Sequence, residues 1–535
     1  MLSSLGKGIT TGSLALLLKS RGYRTTVVKC ENYLNIDSGL INPIEHGDPF
    51  LCDDGTEADM DLGTYEKFLD QNMGQHNFVT LGQIYKTVID RERAFGYNGE
   101  DVEMPHVCEE IIARIRQAAE IEQAEIVIVE LGGTAGEYLN VLYYEASRIM
   151  NYRENDSVIH IHVSYLPTPT HIGEPKTKPT QLSVQRLNAM GIQPDFIVAR
   201  ASQPMDERRR ERFALFCNVK PDHIINAHNL PSVYDVPALF AEQKFDEKVL
   251  RTLQLPPWKL NFSAWQQMTK KLHGKKTHSA RIGIVGKYLT TGEYELKDSY
   301  AALHDALTHA SVETQSEMKI VWLNAEELEG ASPKKVKQLL GELTGIVVPI
   351  GWGERGVEGK IRAIQFSREE KVPYLGLCYG MQLAVVEYAR NVMGWKDAHT
   401  AEVRPESPHA VVHMIPEQER IVSDRAYGGT MRLGAWECKV KKNTLAMEMY
   451  GKEHIWERHR HRYEVNDAFA QDLEKAGLII SGRSIKEGLV EMIELPKSVH
   501  PFFFGTQGHP EYKSRPLAPH PVFVRFLKES GQDDT

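Results

Sequence analysis

Short apolar runs separated by amphipathic stretches dominate the pattern of this chain. The clearest runs cover residues 25–30, 126–129, 158–163, 195–200 and 281–286. Continuous apolar runs of roughly four to eight residues are typical of strands buried on both faces, as in parallel sheets. We therefore predict an α/β fold in which helices cover parallel strands.

The first helix is predicted to begin in a glycine-rich loop, residues 3–11. This loop contains Lys7 between two glycines, and Leu14 and Leu18 follow at helical spacing. A glycine-rich loop with a lysine at a helix N-terminus binds phosphate oxygens. Such a loop is expected to follow a strand, yet only Met1 and Leu2 precede it. We expect either a truncated start or a chain without that strand.

Carboxylates are concentrated near this predicted phosphate site. Residues 53–63 carry five of them, and Glu130 directly follows the apolar run 126–129. Ligands gather at the carboxyl ends of parallel strands, and carboxylates hold Mg²⁺ against nucleotide oxygens. We predict a magnesium site that includes Glu130, although a dense acidic stretch is more often a solvated loop.

Two basic segments are candidates for anion binding. Residues 173–181 contain two lysines and two threonines held by two prolines, which indicates a rigid grip for a polyphosphate. The arginine-rich helix predicted at 207–212 fits a solvated face equally well. The run 458–462 alternates arginine and histidine; in an acidic chain it favours an ordered active-site wall over an RNA-binding surface.

The second half contains a candidate cysteine nucleophile. An apolar run at 373–377 ends at Cys378, glycines stand at 376 and 380, and a helical pattern follows. Strand, tight turn and helix form a nucleophile elbow, and the helix N-terminus lowers the pKa of a thiol. His509 and Glu511 supply a base and an orienting carboxylate in the chain order cysteine, histidine, glutamate. Inert packing is the alternative for a lone cysteine.

Length and charge limit the remaining possibilities. A chain of 535 residues is too long for one core, and a polar stretch at 256–278 predicts a linker between domains 1–255 and 279–535. The net charge of -9 argues against a general nucleic-acid or membrane surface. Six cysteines without metal-type spacing indicate a reducing, cytoplasmic setting, and no apolar run reaches membrane-spanning length.

With these motifs the chain resembles the CTP synthase family along nearly its whole length. The resemblance rests on Ser-Leu-Gly-Lys-Gly at 4–8, the acidic block at 53–63, Lys-Thr-Lys-Pro-Thr-Gln at 176–181, Met-Arg-Leu-Gly at 431–434 and the segment 458–466. It implies a P-loop-type parallel-sheet amidoligase domain followed by a class I glutamine amidotransferase α/β domain. The implied reaction is ATP-dependent amination of UTP to CTP with ammonia from glutamine.

The resemblance also implies roles for individual residues. ATP would be bound by Ser4, Leu5, Gly6, Lys7, Gly8, Ile9, Lys29 and Asp61. UTP, or CTP as feedback inhibitor, would be bound by Ser3, Lys176, Lys178, Gln181 and Arg212. Glutamine would be bound by Gly351, Tyr379, Gln382, Glu402 and Arg462, and the triad would be Cys378, His509 and Glu511. Asp61 and Glu130 would hold Mg²⁺, and Arg355 and Glu358 would lie in a lid that responds to the activator GTP. The family further implies a homotetramer.

Several positions depart from the family pattern. Glu31-Asn32 and residues 137–140 differ where the family reads the nucleotide, Arg212 replaces a lysine, and Tyr379 replaces a leucine. Ile350 stands where the family has a glycine beside the oxyanion-hole residue, and isoleucine does not tolerate a positive φ. Two alternatives therefore stay open at this point: a glutamine-fed ligase with another acceptor, and a non-catalytic, assembly-forming member.

Overall fold

The computed structural model describes residues 5–42, 47, 49–154, 157–169, 171, 173–287, 290–291, 294–295 and 300–533. Contacts divide the chain into two compact units, one of residues 1–36 and 64–269 and the other of residues 37–63 and 270–535. The segment 37–63 thus belongs to the second unit, which the sequence did not indicate. The domain boundaries at 255 and 279 stay predictions.

The strands of the described residues are numbered in chain order. They are β1 Thr25–Glu31, β2 Phe50–Leu51, β3 Glu57–Ala58, β4 Phe78–Thr80, β5 Ile126–Leu131, β6 Ile161–Tyr165, β7 Phe196–Ala201, β8 Ile224–His228, β9 His278–Gly286, β10 Thr290–Thr291, β11 Tyr294–Glu295, β12 Ser316–Asn324, β13 Gly345–Val348, β14 Tyr374–Leu377, β15 His399–Thr400, β16 Ala410–Met414, β17 Arg432–Val440, β18 His454–His461, β19 Tyr463–Val465, β20 Ile479–Ser484, β21 Val490–Glu494, β22 Phe503–Thr506 and β23 Gln532–Asp533.

The α-helices pack between and around these strands. They span Lys7–Ser20, Met60–Leu69, Leu81–Arg93, Met104–Ile121, Val141–Glu154, Lys178–Ala189, Glu207–Cys217, Val236–Glu242, Phe245–Thr252, Ser263–Leu272, Ala301–Thr314, Ala325–Glu329, Pro333–Leu340, Val357–Glu370, Tyr379–Asn391, Pro416–Ser423, Leu445–Tyr450, Ala470–Lys475 and Pro521–Ser530. The stretch 256–278, predicted as a linker, contains helix Ser263–Leu272. Trp265 of this helix is buried and packs against Phe68 and Tyr234.

The first unit contains two separate parallel sheets of three strands. Their orders are β4-β1-β5 and β6-β7-β8. All seven residues of β1 are buried, as the apolar run predicts for a central strand. A largely apolar cavity of about 850 Å³ is lined by every residue of β5 and of β6.

The second unit is organised around one ten-stranded mixed sheet. Its order is β12-β9-β13-β14-β22-β21-β20-β17-β18, with β23 pairing to β9. The strands from β12 to β22 are parallel, and those from β22 to β18 are antiparallel. The carboxyl ends of β13, β14 and β22 therefore meet at one edge of the sheet, the place where ligands bind in parallel sheets. The predicted α/β class is confirmed.

Candidate active sites

The cysteine site forms at the ends of two neighbouring strands. Leu377, the last residue of β14, pairs in register with Thr506, the last residue of β22. Cys378 follows the first strand, and its backbone N–H donates to Thr506 O at 2.7 Å. His509 follows the second strand by three residues, so the sheet itself brings cysteine and histidine segments together.

The turn at Cys378 has the strained backbone of a nucleophile elbow. Cys378 has φ 51° and ψ -101°, and helix Tyr379–Asn391 begins at the next residue. Gly380 is required because a Cβ there would lie 1.9 Å from the carbonyl oxygen of Val348. The predicted strand, turn and helix are confirmed, and Cys378 is buried at this turn.

His509 is paired with Glu511 inside the protein. Its Nδ1 lies 2.7 Å from Glu511 Oε1, and the imidazole is completely buried. Burial alone would lower the pKa of His509, but the charge of Glu511 and the interaction with Cys378 raise it to about 10. Within the described residues, Nε2 of His509 makes no conventional hydrogen bond.

Two lysines hold the loop after β13, which contains the predicted oxyanion-hole residue Gly351. Lys360 Nζ donates to Pro349 O at 2.9 Å, and Lys287 Nζ donates to Gly353 O at 2.6 Å. Burial lowers the pKa of Lys287 to about 8. A Cβ on Gly351 would approach the Lys360 ammonium to 3.0 Å, so this position is tightly enclosed.

The two departures near this loop are accommodated by packing. Ile350 is 3% exposed, and it is not one of the described residues with a positive φ, so the strain expected at this position does not arise. The ammonium groups of Lys287 and Lys360 lie 4.9 and 5.5 Å from the centroid of the Tyr379 ring. Its hydroxyl donates to Gly353 O at 3.2 Å, which adds a third attachment to the loop.

Glu402, Gln382 and Gln507 line the same site. Glu402 Oε1 accepts from the Gly353 N–H at 2.6 Å, and burial raises the pKa of Glu402. Gln382 Nε2 donates to Gln507 Oε1 at 3.0 Å, and Gln507 Nε2 approaches Cys378 Sγ at 3.3 Å. Gln507 was not predicted from the sequence, although it directly follows β22 and lies two residues before His509.

Three further predicted residues have their own partners. Arg462 donates to Tyr427 O at 2.9 Å, and burial lowers its pKa. Arg355 pairs with Glu326 at 2.9 Å. Glu358 pairs with Arg390 at 2.9 Å, and His399 and Arg390 together hold the pKa of Glu358 at about 2. The lid and glutamine-binding roles stay predictions.

In the first unit, the phosphate-loop lysine and the strand-end residues occupy neighbouring positions. Gly6 has φ +82° and begins helix Lys7–Ser20, while Lys7 Nζ donates to Gly133 O at 2.9 Å. Lys29 and Glu130 are register partners on β1 and β5, and their side chains pair at 3.0 Å. The predicted residues Ser3 and Ser4 lie outside the described residues.

Glu130 has the donor chemistry that Mg²⁺ requires. Its Oε2 accepts from the Tyr65 hydroxyl at 2.6 Å, and Glu31 approaches the Lys29 ammonium at 3.3 Å. Two carboxylates thus converge on the Lys29 ammonium, and carboxylate oxygens are ligands that Mg²⁺ prefers. The magnesium role of Glu130 stays a prediction. Within the described residues, a ready-made group of three or more metal-ligating side chains is not found. Asp61 lies in the first turn of helix Met60–Leu69, in the other unit.

Two of the departures from the family pattern contact each other. Asn32 Nδ2 donates to Glu137 Oε2 at 2.6 Å, and Glu137 Oε1 accepts from the Thr134 N–H at 2.7 Å. A Cβ on Gly133 would lie 2.2 Å from Glu137 Oε2. The changed positions thus form one local network around the backbone that accepts from Lys7.

The predicted polyphosphate grip lies at the start of helix Lys178–Ala189. Lys176 pairs with Glu174 at 3.1 Å, and Gln181 is buried one turn into the helix. Arg209, which the sequence did not single out, also pairs with Glu174, at 3.2 Å. Arg212 is exposed on helix Glu207–Cys217, so the arginine-rich helix presents both a contacting and a solvated arginine.

The described residues include no helix long and apolar enough to cross a membrane. All six cysteines are buried free thiols.

Comparisons with known proteins agree with this arrangement. Residues 1–255 match the family model "CTP synthase N-terminus", and residues 295–529 match "Glutamine amidotransferase class-I". A CTP synthase of Sulfurisphaera tokodaii is 46% identical over 99% of this chain and 98% of its own length. A CTP synthase of Pyrococcus furiosus is 45% identical over 100% of this chain and 97% of its own length. The glutaminase domain of a Trypanosoma brucei CTPS with bound acivicin is 37% identical over 47% of this chain and 93% of its own, with a TM-score of 0.43.

These comparisons do not favour the two alternatives left open by the sequence. Full-length relatives at about 45% identity, together with both domain matches, show that this chain belongs to the CTP synthase family, whose members aminate UTP to CTP with ATP and with ammonia released from glutamine.

Proposed function

We propose that Cys378, His509 and Glu511 release the ammonia that this glutamine-hydrolysing CTP synthase consumes. The Cys378 thiolate attacks the carboxamide carbon of glutamine, and the protonated His509 gives its proton to the departing ammonia. Water, deprotonated by His509, then cleaves the thioester to glutamate and free thiol. The single observation that carries this proposal is the strained Cys378 turn beside the buried His509–Glu511 pair at 2.7 Å.

The oxyanion formed in that step needs hydrogen-bond donors. We assign this role to the backbone N–H groups of Gly351 and Tyr379, on the two segments that follow β13 and β14. Lys287 and Lys360 fix the first segment, so its donors are arranged before substrate binds. Gln382, Glu402 and Arg462 are assigned to glutamine recognition.

The first unit is assigned the phosphoryl transfer. ATP transfers its γ-phosphoryl group to the 4-oxygen of the uracil ring, and ammonia then displaces phosphate from that carbon. Lys7 and Lys29 are placed to contact ATP phosphates, while Ser3, Lys176, Lys178, Gln181 and Arg212 are assigned to UTP or the inhibitor CTP. Asp61 and Glu130 are assigned to hold Mg²⁺, which would supply neutralisation of charge on the transferring group.

Regulation and assembly are part of the same proposal. We assign Arg355 and Glu358 to a GTP-responsive lid and expect a cytoplasmic homotetramer. An apolar groove of about 580 Å³ on the first unit supports self-association, since Tyr138 is 89% and Ile89 57% exposed at its lining.

The test compares two nitrogen sources in matched variants. Cys378→Ala should lose glutamine-dependent CTP synthesis by about 10³-fold or more, yet keep synthesis from ammonium at alkaline pH. Lys29→Ala should lose synthesis from both sources and retain glutamine hydrolysis. CTP absorbance and glutamate release are the measurements. Equal loss of both activities in Cys378→Ala would make the cysteine structural and defeat the triad.

A further inference from the structure

The arginine–histidine run at 458–462 divides its side chains between two faces of β18. Successive residues of a strand point to opposite faces. His459 pairs with Glu491 at 2.5 Å on one face, beside Arg432. Arg458 and Arg460 point to the other face, where both are buried in ion pairs with the segment 37–63.

Arg458 connects this segment to the base of the proposed triad. Its guanidinium pairs with Asp53 at 2.5 Å and donates to Leu51 O at 2.9 Å, over the ring of Phe50. Its backbone oxygen accepts from the His509 N–H at 2.7 Å. One residue therefore contacts the segment through its side chain and His509 through its backbone.

Arg460 makes the equivalent connection to the nucleophile. Its guanidinium pairs with Glu57 at 2.6 Å and donates to Gly39 O at 3.2 Å. Its backbone oxygen lies 4.0 Å from Cys378 Sγ. The guanidinium also lies 5.5 Å from the ring of Trp352, in the loop that follows β13.

A third contact joins the same two places. The Tyr512 hydroxyl donates to Pro49 O at 3.1 Å, and its ring stacks on His509 with centroids 5.3 Å apart. The Tyr512 ring also meets Phe50 edge-on, with centroids 5.3 Å apart. The segment therefore touches the His509 imidazole through one intervening ring.

We propose that the segment 49–58 positions the Cys378–His509 pair, with Arg458 and Arg460 as positioning residues, so that glutamine hydrolysis responds to the state of this segment. The proposal rests on the triad assigned above. The chain continues from Ala58 to Asp61, which is assigned to Mg²⁺, three positions later. Both arginines are buried, so removing the carboxylate partner of either one leaves a buried charge that displaces its neighbours.

The test uses variants of the segment, whose side chains take no part in the proposed chemistry. In the full-length protein, Glu57→Gln and Asp53→Asn should each lower kcat for glutamine hydrolysis about ten-fold or more, because sub-ångström misplacement of reacting groups is costly. KM for glutamine should change less than about three-fold. The pH profile of Cys378 alkylation by iodoacetamide, followed by mass spectrometry, should shift. Glu57→Asp should restore part of the rate.

The matched control is Glu387→Gln. Glu387 is buried and pairs with Arg368 at 2.8 Å in the same unit, and neither residue belongs to β18 or to the segment. This control should lower the melting temperature about as much as the segment variants do, yet leave kcat for glutamine hydrolysis within about two-fold of the parent. The proposal is overturned if both segment variants keep the parental kcat and alkylation profile, or if the control loses as much activity. Should Glu57→Gln fail to fold, Asp53→Asn decides, since Asp53 is partly exposed.

The triad is tested separately by Cys378→Ala. If that variant still hydrolysed glutamine while the segment variants did not, the triad assignment would fail and the positioning role of the segment would stand.

Discussion

The sheets of the two units differ in continuity. The second unit joins ten strands in one sheet, and its cysteine site forms where neighbouring strands end. Among the described residues of the first unit, six strands are divided between two sheets, and β5 and β6 both line a cavity of about 850 Å³. Strand edges beside an apolar cavity lose backbone hydrogen bonds and packing, so we expect the first unit to be the less stable one. We therefore expect the continuous sheet to hold its site residues more rigidly than the divided sheets do.

The largest expected effect concerns the metal ligands of the proposed phosphoryl-transfer site. Asp61→Ala and Glu130→Ala should each lower CTP formation by about 10³-fold or more with either nitrogen source, because Mg²⁺ neutralises the transferring group. Basal glutamine hydrolysis should survive, which would confirm that the two sites are chemically separate. CTP synthesis near the parental rate in either variant would show that the assignment is wrong.

A substitution at the elbow tests how firmly the continuous sheet holds its site. Gly380→Ala forces a Cβ to 1.9 Å from Val348 O and should destabilise the second unit by about 3 kcal/mol. Gly6→Ala in the first unit meets only a side-chain atom at 3.8 Å, and its positive φ should cost about 1 kcal/mol. Thermal unfolding of both variants gives the comparison. Equal decreases in melting temperature for the two variants would contradict the expected difference in packing between the units.

A third experiment concerns the charge beside His509. Glu511→Gln removes an anion that raises the pKa of His509 and should lower kcat for glutamine hydrolysis about 10²-fold. Because the folded pKa exceeds the unfolded value of 6.5, the stabilisation is complete below pH 6.5 and is lost as pH rises through about 10. The parent should therefore exceed the variant in unfolding free energy most at low pH. A difference that grew toward pH 10 would contradict the assignment.

The smallest expected effect tests the cavity itself. An apolar six-residue extended segment fused ahead of Leu5, which lines the cavity, should pair with β5 and β6 and raise the melting temperature of the first unit by roughly 5 °C. The second unit should not change. A fused glycine–serine segment of equal length is the control, and an equal shift with that control would mean that the cavity does not accept a strand.

The sequence predicted much of this arrangement because local patterns determine it. The apolar runs located β1, β5, β7 and β9, and glycine spacing located the elbow at Cys378. The same patterns placed Asp53 and Glu57 in an acidic block for metal binding, whereas the structure pairs both with arginines some 400 positions away. Such partners are set by tertiary packing, which periodicity does not report. Gln507 and Arg209 were missed for the same reason.

The two-faced strand β18 has a consequence for how this gene can change. A one-residue insertion or deletion before Arg458 would turn every later side chain of the strand to the opposite face. The arginines would then meet Glu491 and Arg432, and the histidines would meet Asp53 and Glu57. A point substitution in β18 changes one side chain and can be compensated by a change in its partner, but a one-residue shift changes the partners of every later side chain at once. We expect natural length variation to be confined to the loops on either side of residues 454–461.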